Sequence, residues 1–334
     1  MAKIIKAHGS GGQYSRELVR DIFLKHFDNQ ALAELSDAAI LPLEKGRIAF
    51  ATDSHVIQPI FYPGGNIGKL AVAGTVNDLA VSGAVPKYLS CGLILEEGFD
   101  LEDLEKIVLS MAETARLTGV KIVTGDTKVV GHGEADKIYI NTSGIGIIPE
   151  NVDLSPKNIQ IGDSIILSGN IGDHATAILL ARENFTVHST IQSDCHPINA
   201  ITEKLIREIS GVRVMRDPTR GGVVTVLNEF VENRNFGIRL FEETIPVSQE
   251  VMGVCEPLGL DPLYLANEGK FICIVAREEA VKSLELIQCF DRGKEARIIG
   301  EVIENPKSKV LLRTQLGTDR VLNVLSHEIL PRIC

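Results

Sequence analysis

Apolar and polar positions follow two periods along this chain. Between Tyr14 and Phe27, Leu18, Ile22 and Phe23 stand at helical spacing among charges, which predicts an amphipathic helix. Leu104, Ile107, Val108 and Met111 predict another, from Leu101 to Leu117. Asn66 to Gly83 is rich in Ala, Gly and Val with few charges, and reads as a buried helix approached closely by other backbones. Strand patterns lie between these helices. They are Arg47 to Thr52, ending at Asp53; Tyr88 to Leu95; Val120 to Thr124, ending at Gly125-Asp126; and Lys137 to Ile148.

The run from Pro149 to Gly162 is poor in apolar residues and contains Asn, Asp, Ser, Pro and Gly, so a domain boundary is expected there. A second series begins with the strand Asp163 to Ser168. Helices are expected near Asp173 to Arg182, Pro197 to Ile209, Gly221 to Asn233 and Glu278 to Gln288. Strands are expected at Phe271 to Val275 and Ile298 to Ile303. Both halves mix α and β, which gives an α/β fold with domains over 1–154 and 155–317 and a tail over 318–334. A length of 334 residues agrees with two cores.

The net charge of −10 argues against a general nucleic-acid or anionic-membrane binder. No segment approaches the ~20 apolar residues of a membrane helix, and the N-terminus carries no export signal. A cytoplasmic, reducing location is therefore expected, with none of the six cysteines in a disulfide. No Cys-x-x-Cys pair occurs, so a structural zinc site is not expected. Cys255, Cys273 and Cys289 sit among apolar residues and read as core.

Asp37, Asp53, Asp78 and Asp126 draw attention. Asp53 and Asp126 each follow a strand pattern, and Asp78 lies in a nearly uncharged segment. Carboxylates converging at strand ends suit Mg²⁺ on phosphates, although each could equally cap a helix or close a turn. His8-Gly-Ser-Gly-Gly12 precedes the first helix, where glycine N–H groups can approach a phosphate; a plain glycine tail would look the same. Pro63 to Leu70 resembles a P-loop but lacks its Ser/Thr, so any ATP site has another architecture. Lys128 follows Asp126 closely. Asp217-Pro-Thr-Arg-Gly-Gly222 reads as a helix start whose Arg220 could bind phosphate or a carboxylate; Asp217 as a mere cap and Arg220 as a surface charge are the plain alternative. Glu268 is a general-base candidate before the strand at Phe271. Gly169 to His174 reads as a structural junction. Asp194-Cys-His196 offers two adjacent metal ligands but has no second cluster. The chain ends Leu330-Pro-Arg-Ile-Cys334, and a terminal cysteine can enter a narrow site end-on. A chance cysteine on a frayed end is the plain alternative.

Taken together these segments resemble the HypE family of the AIR-synthase (PurM-like) superfamily. The resemblance runs from His8-Gly-Ser-Gly-Gly12 through Asn77-Asp-Leu-Ala80, Gly125-Asp-Thr127, Asp217 to Gly222 and Asn267-Glu-Gly269 to Pro331-Arg-Ile-Cys334. The internal motifs are partly shared with superfamily relatives; the terminal Pro-Arg-Ile-Cys is particular to the HypE family. The resemblance implies two PurM-like α/β domains and a homodimer through the N-terminal ones. It implies ATP near the domain and subunit junction, held by His8, Gly9, Gly11, Gly12, Asp37, Asp78, Gly125, Asp126, Thr127, Asp217 and Arg220. It also implies Mg²⁺ on Asp53, Asp78 and Asp126.

In this family Cys334 would take a carbamoyl group from the carbamoyltransferase HypF. ATP-dependent dehydration would turn it into a thiocyanate, with Glu268 and Lys128 assisting. The cyano group would pass to iron on a HypC–HypD scaffold for the [NiFe]-hydrogenase centre. From Thr318 to Cys334 an extended tail could span up to roughly 55 Å, so an ATP-dependent outward-to-inward shift is expected. Two alternatives stand beside this. One is a small-molecule kinase or synthase of the same superfamily. The other is a non-catalytic metal chaperone using Cys334 and His327.

Overall fold

The computed structural model describes residues 3–9, 13–29, 32, 45–182, 190–325 and 329–334. The expected first helix is present as α1 (Gln13–Leu18), a π-helical stretch Val19–Leu24 and a last turn Lys25–Phe27. Strands β1 (Arg47–His55), β4 (Val85–Glu96), β5 (Lys121–Val130) and β6 (Ile138–Ile148) form a four-stranded sheet in the order β1-β6-β4-β5. The pair β4–β5 is parallel and the others antiparallel. A two-residue ribbon of β2 (Phe61–Tyr62) and β3 (Gly65–Asn66) leads into α2 (Ile67–Val81). Asn66 starts α2 by accepting the N–H groups of Gly68 and Lys69 at 2.9 and 3.0 Å.

The inner face of this sheet carries Leu89, Cys91, Leu93 and Leu95. Against it lies α2, backed in turn by α3 (Leu101–Thr118), which Asp100 caps and Gly119 ends at φ 77°. Gly68 makes this packing possible: a Cβ there would lie 2.4 Å from the Ile107 carbonyl oxygen. The outer face is partly apolar and open, with Phe50 70% and Ile48 58% exposed.

The second half holds a seven-stranded sheet in the order β13-β12-β9-β11-β7-β10-β8. Its strands are β7 (Ser164–Leu167), β8 (Val212–Arg216), β9 (Gly237–Phe241), β10 (Ile272–Val275), β11 (Arg297–Ile303), β12 (Val310–Arg313) and β13 (Asp319–Val321). Only β9–β12 is parallel. β10 and, after Ser164, β7 are apolar throughout and buried on both faces. Ile165, Leu167, Ile272 and Ile274 face α6 (Gly222–Val231). Ile166, Cys273 and Val275 face α5 (Asn199–Glu208) and α8 (Ala280–Gln288). The helices α4 (Asp173–Arg182) and α7 (Gln249–Leu258) complete this half.

Sequence patterning misses β8, β9, β12, β13 and α7. The pairing of β13 with β12 carries the sheet past Gly317, into the segment expected to be tail. Cys255 and Cys273 are buried as expected, but Cys289, at the C-terminal end of α8, is exposed. Among the described residues no disulfide forms, and no helix is long and apolar enough to cross a membrane. One apolar core joins the halves: Ile57, Ile67 and Leu70 share it with Ala175, Cys195, Leu265 and Ile333.

Candidate active site at the junction of the two halves

The end of β1 brings Asp53 toward α2, where Thr75 Oγ1 donates to Asp53 Oδ2 at 2.8 Å. One turn on, Asp78 is half-buried and hydrogen-bonds with Asp53. Burial, then the Asp217 and Asp53 carboxylates, push Asp78 up to about 8. Burial raises Asp217 to about 6. Glu268 is 4% exposed, and its Oε1 has no hydrogen-bond partner. Burial, followed by Asp217, Asp194, Asp53 and Asp78, lifts it well above the carboxylate range. The backbone of Glu268 is fixed at both ends. Its N–H donates to Asp194 Oδ1 at 3.0 Å, and its carbonyl accepts from Asn77 Nδ2 at 3.1 Å. Burial alone would raise Asp194, but Lys270 at 3.3 Å, His174 and the Glu268 N–H together hold it below its ordinary value.

The helix α6 begins at Gly222, five residues after Asp217, so Asp217 is not its cap. Gly221 and Gly222 both have positive φ, and a Cβ on Gly222 would meet the Leu263 carbonyl oxygen at 2.6 Å. This turn sets Arg220 on the wall of a cavity of about 290 Å³ shared with Thr225, Tyr264 and Ile333. His55 is buried with neither ring nitrogen hydrogen-bonded, and burial lowers it to about 4.

The C-terminus docks beside residues 56–58, just past β1. The carbonyl oxygens of Cys334 and Arg332 accept from Val56 and Gln58 at 3.1 and 3.3 Å. Arg332 bonds the Val56 carbonyl at 2.9 Å, Gln58 Oε1 at 3.0 Å and Asp136 Oδ2 at 2.7 Å. Arg182 donates to the carbonyls of Gln58 and Arg332.

Asp53, Asp78, Asp217 and Glu268 thus lie within electrostatic reach of one another, with Arg220 on the wall of the cavity and the Cys334 backbone docked at Val56. Asp126 and Lys128 do not join them within the chain. Strand register pairs Asp126 with Gly92, on the outer face with Asn141 and Ser54. There Asp126 and Lys128 pair at 3.0 Å, both more than 60% exposed. Asp126 lies inside β5 rather than at a strand end. Thr127 follows it, and Gly125 allows close strand packing, since a Cβ would lie 2.4 Å from the Cys91 carbonyl oxygen. The turn Lys6–Gly9, with His8 and Gly9, packs on this same strand. His8 Nδ1 accepts the Ile5 N–H at 3.0 Å. Gly11, Gly12, Asp37 and His327 lie outside the described residues. Among the described residues, no three His, Cys, Asp or Glu side chains are grouped to hold a metal. The Asp53–Asp78 carboxylate pair still fits Mg²⁺, which commonly takes one or two carboxylates plus phosphate and water.

Sequence reasoning overlooks His55, Lys270 and Arg182, and treats His174 and Asp194 as incidental. Two signals were available: a lysine beside Glu268 in an otherwise uncharged run, and an Asp at the head of the Asp194-Cys-His196 run.

Comparison with known proteins gives the chain's family. Residues 35–148 match the family described as AIR synthase related protein, N-terminal domain, and residues 160–313 the one described as AIR synthase related protein, C-terminal domain. The carbamoyl dehydratase HypE of Escherichia coli (strain K12) is 48% identical over 339 residues, covering 100% of both chains. A solved hydrogenase maturation protein HypE in complex with ATP superposes with a TM-score of 0.95 at 46% identity, covering 99% of each chain. A HypE chain solved in a HypE–HypF complex gives 0.81 at 47% identity, covering 92% of this chain and 99% of that one. With full-length identity at this level and both domains matched, the chain belongs to the HypE family of AIR-synthase-related proteins.

Proposed function

We propose that the protein is an ATP-dependent carbamoyl dehydratase whose substrate is an S-carbamoyl group on its own Cys334. The observation that carries this reading is the docked tail. The last three residues run beside Val56 to Gln58, just past the strand bearing Asp53, at a junction rich in carboxylates. Relatives named carbamoyl dehydratase HypE, and one solved with ATP, support the chemistry.

The γ-phosphoryl group of ATP passes to the carbamoyl oxygen. That oxygen then leaves as phosphate while the nitrogen loses both protons, giving S–C≡N, ADP and phosphate. Glu268 takes one nitrogen proton and the departing phosphate the other, and Arg220 on the cavity wall is the phosphate ligand. Mg²⁺ on Asp53 and Asp78 would offset charge on the phosphates and favour ionised Glu268. Closure around the docked tail would keep water from the activated group.

A homodimer through the open outer face is part of the same reading, because Ile48, Phe50 and Ile94 leave an apolar surface there. Asp126, as a further metal ligand, and Lys128, as a group orienting the carbamoyl, stand on that face, so their roles depend on the assembly. His8 and Gly9, in the turn that packs on β5, would contact ATP, as would Gly11 and Gly12 in this reading. HypF is proposed as the carbamoyl donor, in line with the solved HypE–HypF complex. A HypC–HypD scaffold is proposed to receive the cyano group for the [NiFe]-hydrogenase centre. ATP is proposed to shift the balance between outward and inward tails further toward the docked position.

The test is single-turnover phosphate release from carbamoylated protein. One phosphate per carbamoyl group is expected, none from Cys334→Ser, and a large loss with ATP still bound in Glu268→Gln. Turnover indifferent to Cys334→Ser would overturn the reading in favour of a small-molecule kinase.

A further inference from the structure

The last three residues run as irregular backbone, with Arg332 at φ 52°. The carbonyls of Arg332 and Cys334 accept from Gln58 and Val56, and the Ile333 carbonyl turns toward the second half. There it meets Nε2 of His174 at 2.8 Å. His174 lies at the head of α4 and is fully buried. Its Nδ1 is 2.7 Å from Ser193 Oγ, which also accepts the Cys195 N–H at 3.0 Å.

These contacts fix the tautomer. A carbonyl only accepts, so Nε2 must carry the hydrogen. Burial lowers the imidazole and favours its neutral form. Nδ1 is therefore an acceptor, and the Ser193 hydroxyl must donate to it. The ring is held elsewhere too. Tyr62 packs edge-on at 5.8 Å between centroids, and the Ser193 N–H donates to the Pro63 carbonyl at 2.8 Å. A buried histidine that served only the packing of α4 would not need its one N–H aimed at a backbone carbonyl 159 residues away.

We propose that His174, held in its Nε2–H tautomer by Ser193, is a positioning residue that fixes the C-terminal cysteine by gripping the Ile333 carbonyl. This deepens the dehydratase reading and rests on it for its catalytic consequence. His174 touches neither the sulfur nor the carbamoyl group. It acts one residue away, where a small displacement of the tail moves the reacting carbon out of line.

The experiment compares His174→Phe, which fills the space without a donor, with His174→Gln, whose amide can stand in for Nε2–H. Ser193→Ala removes the group that fixes the tautomer. All are made in a Cys289→Ser background, because Cys289 is exposed while the other internal cysteines are buried. Two rates are read: alkylation of Cys334 without nucleotide, and single-turnover dehydration of the carbamoylated protein at saturating ATP. His174→Phe is expected to speed alkylation about tenfold and slow dehydration at least about tenfold, the size of one lost buried hydrogen bond, with ATP affinity unchanged. His174→Gln should restore most of both, and Ser193→Ala should fall between. Parent-like alkylation and dehydration in His174→Phe, or a His174→Gln as impaired as His174→Phe, would overturn the proposal. If His174→Phe does not fold, Ser193→Ala carries the test, and parent-like rates there would count against it. The alkylation arm needs no chemistry, so failure of dehydration in the parent protein refutes the dehydratase reading while leaving the grip on Ile333 separately testable.

Discussion

The backbone N–H of Val56 donates to the carbonyl oxygen of Cys334 at 3.1 Å, so the last residue of the chain ends beside the strand that carries Asp53. Sequence places these residues at opposite ends of the molecule. The fold makes them neighbours because Ile333 inserts into the core shared by both halves, 3% exposed. Burying a side chain of that size contributes roughly 2 kcal/mol, which the flanking polar contacts of Arg332 supplement.

Arg332 is the main polar anchor of that docking, and removing it should release the tail. Arg332→Ala loses the bonds to Val56, Gln58 and Asp136. Because Arg332 and Asp136 are each about a third exposed, the ion pair itself adds little. A net loss of about 1.4 kcal/mol corresponds to a tenfold rise in open tails. Mass-resolved alkylation of Cys334 should therefore speed up about tenfold, with the midpoint of global unfolding little changed.

The Lys270–Asp194 pair fixes Glu268 through its backbone, and both side chains are almost fully buried. Breaking one partner of such a pair costs about 3–5 kcal/mol. Lys270→Met should lower the urea midpoint accordingly, and adding Asp194→Asn should recover part of the loss. A midpoint equal to the parent's would show that the pair is not sealed from water.

Asp173, beside His174, gives a pH dependence with a definite sign. Burial, then Asp194, raise it from 3.8 to about 6. Between those values the native state keeps a proton that the unfolded chain has released, so stability falls as pH rises through this window. Asp173→Asn should flatten that part of the curve relative to the parent, read as melting temperature against pH. An unchanged slope would remove Asp173 from the account.

The outer face of the first sheet should be covered in solution. Phe50→Glu puts a charge at its most exposed apolar position. Sedimentation should show the parent as a dimer and this variant shifted to monomer, with its melting otherwise two-state. A variant that remained dimeric would direct the assembly to another face.

The sequence makes some parts of this structure plain and hides others for physical reasons. The helix Leu101–Thr118 has one apolar stripe and clear caps, so its period is readable. The short strands Gly237–Phe241 and Val310–Arg313 offer four or five residues each, too few for a period to stand out. Asp53 and Asp126 look equivalent in sequence because each ends an apolar run. Which face each takes depends on cross-strand register, and one residue of register reverses the answer. His174 reads as an ordinary junction residue because its partner is at the far end of the chain. Glu268 is legible, but its fixing by Asn77 and Asp194 is a property of packing between the halves.

The most direct measurement of the central claim is the intact mass of protein carbamoylated at Cys334, before and after ATP and Mg²⁺. The account predicts that the C-terminal peptide loses the mass of one water, that Glu268→Gln retains it, and that the loss tracks phosphate release. A folded, ATP-binding protein whose carbamoylated peptide keeps its full mass would contradict it.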